Sequence, residues 1–268
     1  MSKAGEFVRA GCIGPIAPEI GWAPPLRYLL RRDRVLQVIR KNSVGSYLEI
    51  GCGAGALADE LDYDGWRVMG IESSPQALCM AIALKELSGG KQVLASSLSE
   101  AEDSTWDIVA ALDVLEHIED DKAAIHSWAM KIRPGGHLLL AVPAHPARWG
   151  AGDVWAGHYR RYSLVDLVAL TRSAGLEPVY QECYGFPFAN LSEMLGEFYY
   201  HRRLVDSQGE SKAAATSKSG IDRRMATRLS SLISSRVGLL GMRIAYWAQA
   251  VTANRSWGSG YIVLARHR

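Results

Sequence analysis

The amino-acid sequence predicts an α/β fold, a mainly parallel sheet with helices on both faces, and three observations carry the prediction. Short apolar runs alternate with stretches whose apolar residues recur three and four positions apart. One of these runs ends in glycines and opens directly into a helical stretch, as a strand does where it delivers a ligand-binding turn at its carboxyl end. The 268 residues, 48% of them hydrophobic and 22% charged, suffice for a large core. With 26 glycines, 10 prolines and no internal repeat of about 20 to 50 residues, collagenous, disordered and solenoid architectures are excluded.

In chain order, the first segment, MSKAGEFVRAGCIGPIAPEIG, lacks a basic start followed by an unbroken apolar run and so does not read as a signal peptide. Ile20 to Tyr28 lead into a helix that carries Arg31, Arg32 and Arg34. Strands are expected over Val44 to Ile50, Arg67 to Ile71, Gln92 to Leu94, Trp106 to Leu112 and His137 to Val142. The spacing predicts helices over Ala56 to Asp62, Pro75 to Leu87 and Asp121 to Ile132, and over Ser163 to Ala174 behind an N-capping serine. Pro178 to Tyr184 and Gly260 to Ala265 read as two further strands, parted by a long insertion. That insertion holds a helical stretch from Asn190 to Val205, a polar segment from Ser207 to Gly220 expected to be a mobile loop, and a long amphipathic helix from Asp222 to about Asn254. Met225, Leu229, Leu232, Leu240, Ile244, Trp247 and Val251 fall on one stripe of that helix, with Arg223, Arg224 and Arg228 near its start. The stripe can bury against the body or against a second subunit, which leaves monomer and homodimer both open. No window reaches the length that a membrane span requires.

Cys12, Cys52, Cys79 and Cys183 lie far apart, without a CxxC or Cys/His cluster at zinc spacing, and this suits a reduced, cytoplasmic protein. The net charge of +2 conceals an asymmetry: from Arg202 onward 12 lysines and arginines face 3 acidic residues, leaving 18 against 25 before it. A basic end on an acidic body suits an anionic membrane surface or nucleic acid, and it also suits a solvated helix face.

The most informative stretch is Tyr47-Leu48-Glu49-Ile50-Gly51-Cys52-Gly53-Ala54-Gly55. Glycine at every second position lets the backbone approach a ligand closely, and the helix start that follows offers free N–H groups. Glu72 stands 21 residues after Gly51 at the end of the next strand, where a carboxylate can accept both hydroxyls of a ribose. A nicotinamide dinucleotide competes for this pattern. Its G-x-G-x-x-G is absent, because Ala56 stands where the third glycine belongs, and Glu49 would repel a pyrophosphate. The same carboxylate attracts an α-amino group or a sulfonium, which favours S-adenosylmethionine.

Together with this loop and Glu72, the segments Asp107-Ile108-Val109-Ala110-Ala111-Leu112-Asp113-Val114-Leu115-Glu116-His117-Ile118 and Arg133-Pro134-Gly135-Gly136-His137-Leu138-Leu139-Leu140 resemble the class I S-adenosylmethionine-dependent methyltransferases. The resemblance covers about Val44 to Tyr184 plus the last strand. It implies a Rossmann-like, seven-stranded sheet whose last strand is antiparallel, making Pro178 to Tyr184 and Gly260 to Ala265 partners despite the helical insertion. It also implies that Glu49, Gly51, Cys52, Gly53 and Gly55 flank the methionine part of the cofactor and that Glu72, with Ser73 beside it, holds the ribose. Ser96, Ser97 and Leu98 match the positions that frame adenine, although the family often has an acidic residue there. Asp113, Leu115 and His117 are expected to face the cofactor or the acceptor.

Methyl transfer is a displacement at a carbon already activated by a sulfonium, so alignment supplies most of the catalysis, and a general base is needed only for a protonated acceptor. The candidate catalytic residues are His117 and His145, each past the end of a strand, and His158 and Tyr159. The last two lie in Gly157-His158-Tyr159-Arg160-Arg161-Tyr162-Ser163, which resembles a G-H-x-R-R-Y segment of a subgroup of these enzymes. Each has a structural alternative, such as loop capping for His117, and Arg160 and Arg161 are expected to pin the loop by ion pairs. Trp149, Trp155, Phe186, Phe188, Tyr199 and Tyr200 form either an apolar acceptor pocket or core filling. No second ligand set accompanies the carboxylates, so no metal is expected.

The chain thus divides into an N-terminal helical cover (1–43), a cofactor-binding core (44–185 with 258–268) and a helical insertion over the acceptor (186–257). The expected function is methyl transfer to nitrogen or oxygen, less readily carbon, of a small, partly apolar metabolite such as a natural product, with S-adenosylhomocysteine as product. The alternatives are an acceptor borne on a lipid or isoprenoid at a membrane surface, and a cofactor-binding protein without catalysis. Nucleic acid is not an expected partner, because Asp113-Val114-Leu115-Glu116 stands where an N-P-P-Y or D-P-P-Y motif would.

Overall fold

A computed structural model describes residues 7–206 and 232–268. The chain opens with a hairpin, β1 (Val8–Ala10) and β2 (Gly14–Ile16), followed by helix α1 (Leu26–Ile39). The N-terminal segment is therefore not helical alone. Its strands span only three residues each, too short for a period-two signal in the sequence. Then come β3 (Ser46–Ile50), α2 (Ala56–Tyr63), β4 (Arg67–Ile71), α3 (Pro75–Ser88), β5 (Val93–Ala95) and β6 (Trp106–Leu112). They are followed by α4 (Asp121–Ala129), β7 (Ile132–Pro143), α5 (Ala151–Ala156), α6 (Leu164–Ser173), β8 (Leu176–Tyr184), α7 (Phe188–Asp206), α8 (Arg236–Thr252) and β9 (Gly260–His267).

Seven strands form one sheet in the order β5-β4-β3-β6-β7-β9-β8. Neighbours from β5 to β7 pair in parallel, and β9 lies antiparallel between β7 and β8. The last two strands are partners across the insertion, as the resemblance implies. Strand residues alternate between two cores, as a period of two requires. Leu48, Val109, Leu138 and Leu140 pack under α4 and α6 with Ile125, Trp128 and Leu167. On the other face, Tyr47, Ile108 and Leu139 pack with Val35, Leu36, Leu57 and Leu61 of α1 and α2. Parallel pairing brings the carboxyl ends of β3, β4, β6 and β7 to one edge, where the loops are free to carry chemistry.

Two expected helices have markedly different bounds. The helix expected to reach Ile132 stops at Ala129, because Ile132 already pairs with Trp106 and Pro134 holds Arg133 in extended conformation. No single helix runs from 222 to 254: Ser235 caps a new helix start, its hydroxyl accepting the Gly238 N–H at 3.1 Å. Ser207 to Gly220 and the positions Arg223, Arg224, Met225, Arg228 and Leu229 lie outside the described residues. Of the expected stripe, Leu232, Leu240, Ile244, Trp247 and Val251 are exposed. Helix α8 instead buries Met242, Ala245 and Gln249, with Met242 and Ala245 packing on Ile13, Ile16, Leu29 and Leu30.

Helix α1 is fastened by three arginines that point to three different elements. Arg31 donates to the Leu112 carbonyl at the end of β6 (2.8 Å), Arg32 grips Glu60 of α2 (2.6 and 2.5 Å), and Arg34 forks onto Glu182 of β8 (2.6, 3.0 and 3.1 Å). All three are buried, and Arg32 and Arg34 grip their carboxylates in bidentate geometry. Glu182→Ala is expected to strand the Arg34 charge and destabilise the protein by about 3 to 5 kcal/mol, measured by urea unfolding. A change within about 0.5 kcal/mol would show that water compensates the guanidinium.

Candidate active site

The turn after β3 is built from glycines with positive φ. At Gly51 (φ +67°) a Cβ would stand 2.5 Å from Val114 Cγ2, so neither the conformation nor the space admits a side chain. At Gly53 (φ +57°) nothing lies within 4 Å of where a Cβ would be, and the turn is open on that side. The Gly53 N–H donates to Glu72 Oε2 (2.9 Å) and the Ser74 N–H to Oε1 (2.7 Å), which fixes the Glu72 carboxylate across the turn. Cys52 is buried with Sγ over Gly70, so its part in the site is confined to its backbone.

Behind the turn, Glu49 is 4% exposed and its Oε2 has no hydrogen-bond partner. Burial pushes its carboxyl up to about 8, with the Arg31 charge opposing and Glu72 adding to the rise. An unpartnered buried carboxylate, an open glycine turn and a second carboxylate fixed across it form the acceptor set that an amino-acid cation and a ribose require. S-adenosylmethionine fits these residues.

On the next loop, Ser73 is exposed beside Glu72, and Ser96 and Ser97 are exposed after β5. Ser97 caps a short turn over Leu98–Glu100, and Glu100 Oε1 accepts the Ser96 and Ser97 N–H groups, each at 3.1 Å. The acidic residue of this loop is therefore Glu100. Its signal was the capping-box spacing Ser97-x-x-Glu100. Leu98 packs against the core.

Past β6, Asp113 takes a left-handed conformation (φ +56°), uncommon for a residue with a side chain and frequent at functional sites. Arg31 Nη1 lies 2.5 Å from its Oδ2 and Arg27 Nη2 3.9 Å from its Oδ1. Burial alone would raise the Asp113 carboxyl, but Arg31 and Arg27 outweigh it and hold its pKa below the ordinary value. The sequence places Arg31 on a helix and Arg27 in the segment leading into it, and shows nothing of their reach. Leu115 is a correction: it is fully buried in the core, because the turn that exposes Asp113 carries the residue two places on back under the sheet.

The structure brings His117 and His158 together, their ring centroids 4.6 Å apart. Asp153 Oδ1 lies 2.8 Å from His158 Nδ1, and Arg161 Nε donates to both Asp153 oxygens at 2.9 and 2.8 Å. The Tyr159 N–H donates to the Glu116 carbonyl (2.7 Å), which joins this loop to the turn after β6. Glu116, which the sequence did not single out, is fully buried beside both histidines, and burial, then the Asp113 charge, push its carboxyl well above the usual range. His117 is pushed down to about 4 by burial and by the neighbouring His158.

Arg160 and Arg161 are structural as expected. Arg160 pairs with Asp121 (2.6 Å), and Arg161 also reaches Glu193 of α7 (2.8 Å). His145 (φ +62°) packs on Tyr261 instead, its Nδ1 3.2 Å from the phenol oxygen, with Arg148 the charge that most affects it. Among the aromatics, Trp155 lies on Tyr200 (4.7 Å), joining α5 to α7, Phe186 meets Trp257 (5.4 Å), and Trp149 is exposed.

Residues 25–181 match the family described as a methyltransferase domain. The chain is similar to the ubiquinone biosynthesis O-methyltransferase of Alkalilimnicola ehrlichii, 31% identical over 117 residues, which is 42% of this chain and 47% of that protein. It is similar also to the enzyme of that name from Ralstonia nicotianae, 28% identical over 149 residues, 49% of this chain and 62% of that one. The chain spans about half the length of the curated relatives it matches. Among solved structures it shares its fold with phosphoethanolamine N-methyltransferase 2 of Haemonchus contortus in complex with S-adenosylmethionine (TM-score 0.53, 16% identity, 88% of this chain and 52% of that one). The cyclase SpnF is similar at a TM-score of 0.52 and 17% identity, over 88% of this chain and 80% of that one. With a family match across more than half of its length, seated on the glycine turn and Glu72, the chain belongs to the class I S-adenosylmethionine-dependent methyltransferases.

Proposed function

We propose that this protein moves a methyl group from S-adenosylmethionine to an oxygen of a small, partly apolar molecule such as a natural product. The observation that carries the reading is the edge shared by two sets of residues: Glu49, the glycine turn and Glu72 on one side, and Glu116, His117 and His158 on the other. Oxygen is favoured over nitrogen because the curated relatives compared above are named ubiquinone biosynthesis O-methyltransferases. The cofactor supplies an electrophilic methyl carbon. Glu49 attracts its amino group, the backbone of Gly51, Cys52, Gly53 and Gly55 makes room for it, and Glu72 accepts from its ribose. Arg31 and Arg27 offset the Asp113 charge beside this pocket. On the acceptor side, Asp153 holds the His158 ring by Nδ1 and fixes its orientation, with His117 and Tyr159 next to it and His145 on the neighbouring loop. Residues 186–257 serve as the acceptor cover, through the Arg161–Glu193 and Trp155–Tyr200 contacts of α7. The four unpaired cysteines favour a reduced, cytoplasmic setting.

A second reading, an acceptor borne on a lipid, is favoured by the outward arc of α8. Val237, Leu240, Ile244, Trp247 and Val251 are exposed with Arg236 and Arg243 along the same helix, and residues 223–268 contain no acidic side chain. Among the described residues no helix is long and apolar enough to cross a membrane, so such contact would be peripheral.

Three outcomes test these readings. Cofactor affinity should rise as the pH is raised toward about 8, because Glu49 must lose its proton to meet a cation, and Glu49→Gln should flatten that rise in calorimetric titrations. An unchanged profile in the variant would remove Glu49 from the cofactor site. His158→Ala should lower kcat by about 10²- to 10⁴-fold while the Kd for S-adenosylmethionine stays within a factor of about three; equal losses in both would place His158 on the cofactor side. Cosedimentation with anionic vesicles should weaken in Trp247→Glu if the lipid reading holds, and wild-type protein that stays in the supernatant at low salt would discard it.

A further inference from the structure

We infer that Glu116, His117 and His158 form a binding site for one divalent transition-metal cation at the acceptor end of the active site. No metal is expected from the sequence, where no second ligand set accompanies the carboxylates: Glu116 and His117 are adjacent, and His158 stands 41 positions beyond His117. Among the described residues this is the group of three metal-ligating side chains whose ligand atoms all lie within 4.8 Å of one another. Glu116 supplies an independent sign. It is 0% exposed, and neither of its carboxylate oxygens accepts a hydrogen bond from another residue. A buried carboxylate is ordinarily paired or coordinated, and here the atoms it faces are imidazole nitrogens.

The surroundings of His158 point the same way. Its Nδ1 is held by the buried Asp153, itself clamped by Arg161, so the ring is fixed in orientation with Nε2 left as the coordinating atom. A carboxylate behind a histidine is the usual outer partner of a metal-binding imidazole. Two imidazoles and one carboxylate suit zinc or iron(II) better than magnesium or calcium, which prefer oxygen ligands, and three protein ligands leave positions open for an acceptor. An acceptor hydroxyl seated there loses its proton to water more readily, and the oxygen so freed is the nucleophile for methyl transfer. That use of the cation rests on the methyl-transfer reading; the binding of the cation does not.

The test is a titration of the full, untagged, chelator-treated chain with Co²⁺, followed by visible absorption and then by Zn²⁺ displacement, with S-adenosylmethionine binding measured in parallel by calorimetry. One Co²⁺ per chain with ligand-field bands, displaced by Zn²⁺, is the expected result. The isosteric Glu116→Gln should weaken it at least about 100-fold and Asp153→Asn, a positioning residue, about 10- to 100-fold with shifted bands. Should Glu116→Gln fail to fold, His158→Gln on the more exposed loop serves the same purpose. Normal cofactor binding with no Co²⁺ bands overturns the metal site and leaves the methyltransferase reading intact. Bands that persist in both variants overturn the assignment to these residues. Co²⁺ binding without cofactor binding keeps the site and overturns the function proposed above.

Discussion

A guanidinium buried between carboxylates is the constraint on which the rest of this molecule depends. Arg31 meets Asp113 at the end of β6 and acts on Glu49 at the end of β3, so one cation from α1 balances two strands of the cofactor edge. Without such a cation, carboxylates at neighbouring strand ends would repel each other in a medium that screens them poorly. The N-terminal helix is therefore part of the site's electrostatics, and its other arginines, on Glu60 and Glu182, keep it in register with α2 and β8.

From Asp113 the charges continue outward in alternating sign, through Arg27 and Glu193 to Arg161 and Asp153, which holds His158 by a hydrogen bond. This chain couples the loop before α6 to helix α7 and to α1. A loop held in this way can present a histidine in a fixed orientation, which an alignment-limited displacement requires. Asp113 and His145 both carry positive φ just past strand ends, so part of the backbone strain of the molecule lies at the carboxyl edge of the sheet.

The fold by itself does not select a reaction. A methyltransferase and a cyclase are similar to this chain to nearly the same degree, and what separates such proteins is the set of side chains at the edge. Here that edge carries a buried carboxylate behind the glycine turn and an imidazole-rich group past β6.

The sequence by itself determined the sheet and the cofactor turn. Strand and helix periods are local, and Glu49, the glycines and Glu72 are readable because the chain meets them in order, each at the end of its own strand. The bounds of α4 and α8 were less legible, since pairing with Trp106 and a mid-segment serine cap override a favourable apolar pattern. Leu115 was misplaced because one residue of turn decides whether a side chain faces the ligand or the core. Only the tertiary structure decided that Glu116 is buried without a partner next to His117 and His158, and that Arg31 serves Asp113, 82 positions away. Charge pairing and ligand clustering are properties of distance in space, and nothing in the linear spacing of these residues encodes them.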